Sequence, residues 1–169
     1  MGSYQTVMVG TDGSESSFRA VDKAAGVAKD AGATLVIACA YNAPRGEGEQ
    51  SGTMRAAWKG AKPNTGGRDK DVLGDESYKV TGSTPAESVL QDASDRARKV
   101  GLKDADIKTD AVAGDPVDVL VELIGKHKAD LIIVGNRGLN SLAGRLLGSV
   151  PANVSHRASC DVLIVHTTS

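Results

Sequence analysis

Three glycines, Gly135, Gly138 and Gly148, and the adjacent Ser149 follow an apolar run at residues 131–134. Glycines that follow a buried strand leave backbone N–H groups uncovered, because no Cβ stands in front of them. A serine that starts a helix adds a hydroxyl group at the positive end of the helix dipole, which attracts phosphate. A tight turn with an ordinary N-cap at Ser149 is the alternative. The spacing of the three glycines and the serine favours a phosphate site.

Asp12 is a second candidate, because it directly follows the first predicted strand in the segment Gly10-Thr11-Asp12-Gly13. A carboxylate at this place can accept hydrogen bonds from ribose hydroxyls or hold a metal ion. The alternative is an aspartate that closes a type I turn with Gly13. We favour the ligand role.

Ala38 and Ala40 end the second predicted strand with small side chains. Their backbone N–H and C=O groups could meet a purine edge, while the small side chains leave room for the ring. Arg137 and Arg145 also fall in residues 135–149, which we call the glycine segment, but loop arginines are more often solvated than bound to phosphate. The sequence therefore predicts that backbone groups supply most of the contacts.

Several other chemistries lack their sequence patterns. Neither a P-loop nor a Gly-x-Gly-x-x-Gly segment after the first strand is present. His127, His156 and His166 have no local metal-ligand spacing, and no serine lies in a nucleophile elbow. These observations favour a binding protein over an enzyme, and no metal site is expected.

The elements that must position these residues follow from hydrophobic periodicity and helix-capping patterns. Caps with a following proline are predicted at Thr84-Pro85 and at Asp115-Pro116. The predicted strands span residues 4–10, 33–40, 107–112, 131–134 and 161–166. The predicted helices span about residues 14–31, 85–100, 116–128 and 149–158.

This order predicts an α/β fold, a doubly wound five-stranded parallel sheet within a single domain of residues 1–169. The first and fourth strands both end in glycine-rich turns, so we expect them to be neighbours that flank the switch point, where such sheets bind ligands. Residues 45–74 are rich in glycine and lack periodicity, which predicts a flexible insertion. Trp58 within it is interpreted as a local anchor rather than a binding residue.

Composition narrows the possible partners. A net charge of −1 and a pI near 6.3 argue against nucleic-acid binding. No apolar run approaches the roughly 20 residues of a membrane span, so we expect no membrane segment. Cys39 and Cys160 fall in apolar runs and are expected to be buried in a protein of the reducing cytoplasm.

The chain resembles the universal stress proteins of the nucleotide-binding type. The family signature Gly-x2-Gly-x9-Gly-Ser/Thr is met by Gly135, Gly138, Gly148 and Ser149, and the early Val-Gly-Thr-Asp-Gly-Ser segment is met by residues 9–14. Residues 149–154 and 160–166 strengthen the match, and only the insertion departs from it. The chain is most similar to actinobacterial, mycobacterial-like members, among which cyclic AMP binding occurs.

This resemblance implies a Rossmann-like fold, related to the adenine nucleotide alpha-hydrolases, with an adenine nucleotide across the switch point. It implies ribose contacts at Asp12 and adenine contacts around Ala38 to Ala40, at Val112 and at Gly114. It implies phosphate contacts at Gly135, Gly138, Gly148, Ser149 and Val150. Gly10, Thr11 and Val134, at the ends of the first and fourth strands, complete the predicted set.

The sequence and the resemblance together predict a regulatory binder or reservoir for ATP, AMP or cyclic AMP, with no obligatory cofactor and with Mg²⁺ accompanying ATP. The resemblance also implies a homodimer that pairs through the last strand, at an otherwise open sheet edge. A slow ATPase or nucleotide hydrolase of the same fold is the main alternative. A flavodoxin-like interaction module without nucleotide is a further alternative, which the glycine pattern disfavours. The insertion could cover the site or alter the choice of ligand.

Overall fold

A computed structural model describes residues 3–43, 83–136 and 147–167. The predicted insertion at residues 45–74 lies outside the described residues, and so do Trp58, Arg137, Gly138 and Arg145. The described residues build one sheet with helices on both faces.

Five strands and four α-helices are present within the described ranges. The strands are β1 (Thr6–Gly10), β2 (Thr34–Tyr41), β3 (Ile107–Ala113), β4 (Leu131–Gly135) and β5 (Asp161–Val165). The helices are α1 (Glu15–Ala31), α2 (Ser83–Val100), α3 (Pro116–His127) and α4 (Ser149–Arg157), and a 3₁₀ turn at Asp104–Asp106 precedes β3. Each predicted strand and helix is therefore found, with small differences at its ends.

The strand order is β3-β2-β1-β4-β5, and every neighbouring pair is parallel. Val7 pairs with Leu131 and Val9 with Ile133, which confirms that the first and fourth strands are neighbours. The chain builds outward from β1 to β2 and β3 and then returns to the other side of β1 with β4. The predicted doubly wound parallel sheet is thus confirmed, and its switch point lies between β1 and β4.

The core forms two layers, because successive side chains of a strand point to opposite faces. Val7 and Val9 pack beneath α1 and α2, whereas Met8 packs beneath α3 and α4. All three side chains are fully buried, and each contributes roughly 1.5–3 kcal/mol relative to an exposed position. The first layer is rich in alanine, which lets the helices approach the sheet closely: Ala20, Ala24, Ala25, Ala28, Ala86, Ala93 and Ala97.

Local hydrogen bonds begin two of the helices. Ser14 precedes α1, and its hydroxyl accepts the Ser17 N–H at 3.0 Å. Asp115 precedes α3, and its carboxylate accepts the Val117 N–H at 2.9 Å, with Pro116 in the first helical position. The cap and proline predicted at Asp115 and Pro116 are confirmed.

The cap predicted at Thr84 is wrong, and so is the alternative interpretation of Ser149 as an N-cap. Helix α2 already begins at Ser83, so Thr84 lies inside the helix rather than before it. Pro85 fits there because the N–H groups of the first helical turn have no partner within the helix. At α4 the N-cap is Gly148, with an extended backbone and no side-chain capping bond. Ser149 is therefore the first helical residue and does not cap α4.

Candidate functional site

The loop after β1 is held between β2, α1 and α3. Thr11 donates its backbone N–H to the Ala38 carbonyl at 2.9 Å, and its hydroxyl lies 2.9 Å from that of Ser17. Both hydroxyl-bearing residues are buried. A Cβ at Gly10 would lie 3.1 Å from Leu120 Cδ1, so the glycine allows β1 to end close to α3. Gly10 and Thr11 thereby fix the start of the loop that carries Asp12.

Asp12 directs one carboxylate oxygen back into its own loop. Its Oδ1 accepts the Ser14 N–H at 2.9 Å, and its backbone N–H donates to Ser17 Oγ at 3.4 Å. This is the hydrogen bond of an Asx turn, so the turn interpretation accounts for one of the two oxygens. Burial raises the pKa of the Cys39 thiol to about 11, and the nearby charge of Asp12 adds to that rise. Because Thr11 is hydrogen-bonded to Ala38, the loop that carries Asp12 begins beside the carboxyl end of β2.

The candidate adenine contacts lie where β2 and β3 end. Ala40 pairs with Val112 in the parallel register, and both residues are half-buried. Ala38 is buried, and its carbonyl oxygen already accepts the Thr11 N–H. Ala40 and Val112 are therefore more accessible than Ala38.

Gly114 closes the end of β3 onto the start of α3. Its N–H donates to the Tyr41 carbonyl at 3.0 Å, and its φ of 146° is one that other residues rarely adopt. A Cβ at Gly114 would lie 3.1 Å from Val119 Cγ2. The backbone conformation therefore favours glycine at this position, and a Cβ would in addition require the Val119 side chain to shift by a few tenths of an ångström.

The candidate phosphate site lies where β4 ends and α4 begins. Val134 is buried, and Gly135 pairs with Val165 in the last register position of β4 and β5. The Gly148 N–H donates to the Asn136 carbonyl at 2.9 Å, which joins the two ends of the glycine segment. A Cβ at Gly148 would lie only 3.3 Å from that same carbonyl oxygen.

The start of α4 presents backbone N–H groups at this place. Ser149 and Val150 are its first two residues, and N–H groups in a first helical turn have no partner within the helix. The positive end of the helix dipole adds to their attraction for an anion. Val150 packs against the same core layer as Ala40 and Val112, the layer beneath α3 and α4. The ends of β2, β3 and β4 and the start of α4 therefore border one region of the fold, while Gly138 lies outside the described residues.

Two buried side chains of this region escaped the sequence-based prediction. Asn136 Oδ1 accepts hydrogen bonds from the backbone N–H and the hydroxyl of Thr167, at 3.0 and 2.9 Å. The only hint in the sequence is that both are polar residues within two positions of the end of an apolar strand, Asn136 after β4 and Thr167 after β5. Their hydrogen bonds link segments that are far apart in the chain, so spacing does not reveal them.

Other polar groups lie away from the switch point. His127 pairs with Asp110 of the edge strand β3, and Lys126 Nζ lies 3.5 Å from the same carboxylate. A groove of about 330 Å³ between α2 and β3 is lined by Glu87, Leu90, Gln91, Ser94, Arg98, Asp104, Ile107 and Thr109. Across the described ranges, no three His, Cys, Asp or Glu side chains gather as metal ligands. None of the helices described has the length and apolar character to cross a bilayer.

The sheet order and the loops at the ends of β1 and β4 define a Rossmann-like α/β protein with a candidate ligand site at its switch point. The chain belongs to the universal stress protein family, whose profile matches residues 3–166. The resemblance drawn from the glycine signature is therefore confirmed.

Individual relatives support this assignment over nearly the whole length. Universal stress protein Rv1636 of Mycobacterium tuberculosis is 52% identical over 168 residues, which are 99% of this chain and 100% of that protein. A crystal structure of a universal stress protein in complex with cAMP is 44% identical, with a TM-score of 0.66 and coverage of 98% of both chains. The universal stress protein from Archaeoglobus fulgidus in complex with dAMP is 19% identical, with a TM-score of 0.60 and coverage of 95% of this chain and 97% of that one. This last likeness concerns the fold alone.

Proposed function

We propose that this protein binds an adenine nucleotide at the switch point and acts as a regulatory binder or nucleotide reservoir. The observation that carries the proposal is the hydrogen bond from Gly148 to Asn136, which sets the start of α4 beside the end of β4. Backbone N–H groups at a helix start, next to glycines, form a site suited to phosphate. The relative crystallised with cAMP, which is similar over 98% of its length, makes cyclic AMP the first ligand to test, with AMP and ATP beside it.

Each part of the nucleotide has proposed partners in this chain. Asp12 accepts hydrogen bonds from the ribose hydroxyls, next to the loop anchored by Gly10 and Thr11. The adenine ring lies against the ends of β2 and β3, at Ala38, Ala40, Val112 and Gly114. The phosphate groups meet the glycines that follow β4 and the start of α4, at Gly135, Gly138, Gly148, Ser149 and Val150. Val134, at the end of β4, completes the proposed set. With ATP, Mg²⁺ would accompany the nucleotide and offset part of the charge of its phosphates.

A binding role fits the way the polar side chains near the switch point are used. The hydroxyls of Thr11 and Ser17 contact each other, and Asp12 Oδ1 accepts the Ser14 N–H. Such groups shape a site rather than activate a nucleophile. Slow ATP hydrolysis is the alternative. The test is whether the wild type releases phosphate from ATP at a steady rate over hours and Gly148→Glu does not. That result would show that the protein is a hydrolase rather than a binding protein.

Two further features belong to the proposal. Strand β5 lies at an edge of the sheet with half-buried apolar residues at 162–165, and pairing with β5 of a second copy would cover that edge in a homodimer. Sedimentation of the purified protein tests this. Cys39 and Cys160 are free thiols, as expected for the reducing cytoplasm that we propose as the location.

Calorimetry with cyclic AMP, AMP, ATP and adenosine tests nucleotide binding. We expect micromolar dissociation constants, about −8 kcal/mol, for at least one phosphate-bearing ligand. Gly148→Glu should abolish that binding, because its carboxylate would face the phosphate and its Cβ would crowd the Asn136 carbonyl. Gly125→Glu is the matched control, since Gly125 lies in α3 at an exposed position with nothing within 4 Å of an added Cβ. Absence of binding by the wild type, or equal binding by Gly148→Glu, would refute the site.

A further inference from the structure

Four polar residues form a hydrogen-bonded cluster after β5, which we call the C-terminal latch: Ser16, Arg19, Asn136 and Thr167. The Thr167 N–H and hydroxyl both donate to Asn136 Oδ1, and the Ser16 hydroxyl contacts the Thr167 hydroxyl. Because the Thr167 hydroxyl proton is directed to Asn136, the Ser16 hydroxyl acts as donor in their contact. The Arg19 guanidinium donates to the Thr167 carbonyl at 2.7 Å.

The central pair of the C-terminal latch is shielded from water. Asn136 is 8% exposed and Thr167 is 5% exposed. Asn136 Nδ2 lies 3.4 Å from His166 Nδ1, so the amide group turns its oxygen toward Thr167. A buried amide that loses its partner is left unsatisfied, so this arrangement holds Asn136 strongly in one orientation.

The backbone of Asn136 also connects β5 to the start of α4, at the candidate phosphate site. Its N–H donates to the Val165 carbonyl at 2.8 Å, and its carbonyl accepts the Gly148 N–H at 2.9 Å. The same residue is thus bonded to β5, to the N-cap of α4 and to Thr167. A shift of Asn136 would move Gly148 and with it the first turn of α4.

The other end of the C-terminal latch lies at the start of α1, on the side of the switch point where the Asp12 loop lies. Ser16 and Arg19 lie in the first turns of α1, the helix that follows the Asp12 loop. Ser17, between them, accepts the Asp12 N–H. The C-terminal latch therefore connects the start of α1, beside the candidate ribose contact, to the base of the candidate phosphate site.

We propose that Asn136 and Thr167 are positioning residues that set the distance between the α4 N-terminus and the rest of the site, and thereby the affinity for the phosphate group of the ligand. This inference rests on the proposed nucleotide function. Neither side chain needs to touch the ligand, since each acts through the backbone of Asn136 and Gly148. The consequence is selective: a ligand with phosphate depends on the C-terminal latch, and a nucleoside without phosphate does not.

Calorimetry of the full chain with cyclic AMP and with adenosine tests this selectivity. Thr167→Val keeps the shape of the side chain and removes the hydroxyl bonds to Asn136 and Ser16. We expect its affinity for cyclic AMP to fall about tenfold, while its affinity for adenosine stays within about twofold of the wild type. Thr167→Ser retains the hydroxyl and should restore the affinity for cyclic AMP.

Ser94→Ala is the matched control, because it removes another buried hydroxyl, bonded to the Leu90 carbonyl within α2. It should leave both affinities unchanged. If Thr167→Val folds poorly, Ser16→Ala removes only one contact of the latch and should shift the ratio of the two affinities in the same direction. The wild type could bind both ligands while the latch variants lose affinity for cyclic AMP and adenosine equally, or lose none. That result would overturn the role of the C-terminal latch and leave the proposed function standing. A wild type that binds neither ligand would overturn the proposed function and this inference together.

Discussion

Gly13 packs so closely against Val89 of α2 that a Cβ at Gly13 would lie 2.8 Å from Val89 Cγ2. Its φ of 83° is also a left-handed conformation that side chains disfavour. We therefore expect Gly13→Ala to lower the free energy of unfolding by about 1–3 kcal/mol, through backbone strain and a forced shift of the Val89 side chain. Urea denaturation at equilibrium measures this change.

Gly26 offers the opposite case within the same chain. It lies inside α1, and nothing is found within 4 Å of an added Cβ. Gly26→Ala should raise the free energy of unfolding by about 0.5–1 kcal/mol, because alanine favours the helix. A Gly13→Ala variant as stable as Gly26→Ala would contradict the close packing of Gly13 against Val89.

The fold could be predicted because its signals are local. The Asp115-Pro116 pair starts α3 with bonds that span only a few residues, and the apolar run at residues 131–134 is long enough to show a buried strand. Even the adjacency of β1 and β4 in the sheet was predicted from local patterns, because glycine-rich turns mark the strands that flank a switch point. Hydrophobic periodicity, helix caps and glycine-rich turns were together sufficient to predict the architecture.

The hydrogen bonding of the candidate site could not be predicted in the same way. Gly148, and not Ser149, takes the extended N-cap conformation at α4, where the Gly148 N–H is bonded to the Asn136 carbonyl. The bond from Asn136 to Thr167 joins residues 31 positions apart, and no spacing rule relates them. Contacts of this kind depend on how β4 and β5 pair, so they emerge only from the folded chain.

Asp130 gives the stability of the protein a pH dependence. Hydrogen bonds from the backbone N–H groups of Thr6 and Gln5 hold the pKa of its carboxyl below the ordinary 3.8. A carboxyl group whose pKa is lowered by folding stabilises the folded protein at pH values above its pKa in the unfolded chain. This contribution to the free energy of unfolding is lost as the pH falls through the pKa of the folded state. Asp130→Asn should therefore be slightly less stable than the wild type at neutral pH, with a deficit that shrinks below about pH 4.

Urea denaturation of both proteins across this pH range measures the difference. The expected deficit is small because the carboxylate is exposed to solvent. A deficit of the same size at acid and neutral pH would show that the charge of Asp130 plays no part.

Cys39 should be the less reactive of the two thiols. It is fully buried, and burial together with the Asp12 charge raises its pKa from the ordinary 9.0 to about 11. In Cys160→Ser, reaction with a disulfide reagent should be slow and should keep accelerating up to about pH 11, because only the thiolate reacts. In urea, which unfolds the protein, the dependence of the reaction rate on pH should follow the ordinary thiol pKa of 9.0. A plateau near pH 9 in the folded protein would contradict the burial of this thiol.

Ala40 separates recognition of the adenine ring from recognition of phosphate. It is half-buried at the end of β2 beside Val112, where a larger side chain would take the space proposed for the purine. Ala40→Leu should weaken binding of adenosine and of cyclic AMP alike, by about tenfold or more, since both carry the same ring. Ala105→Leu, at an exposed position in the 3₁₀ turn before β3, is the control and should bind both ligands as the wild type does. Calorimetry gives both affinities, and thermal unfolding of the variant shows whether its sheet is intact. A folded Ala40→Leu that binds adenosine with unchanged affinity would move the adenine ring away from the end of β2.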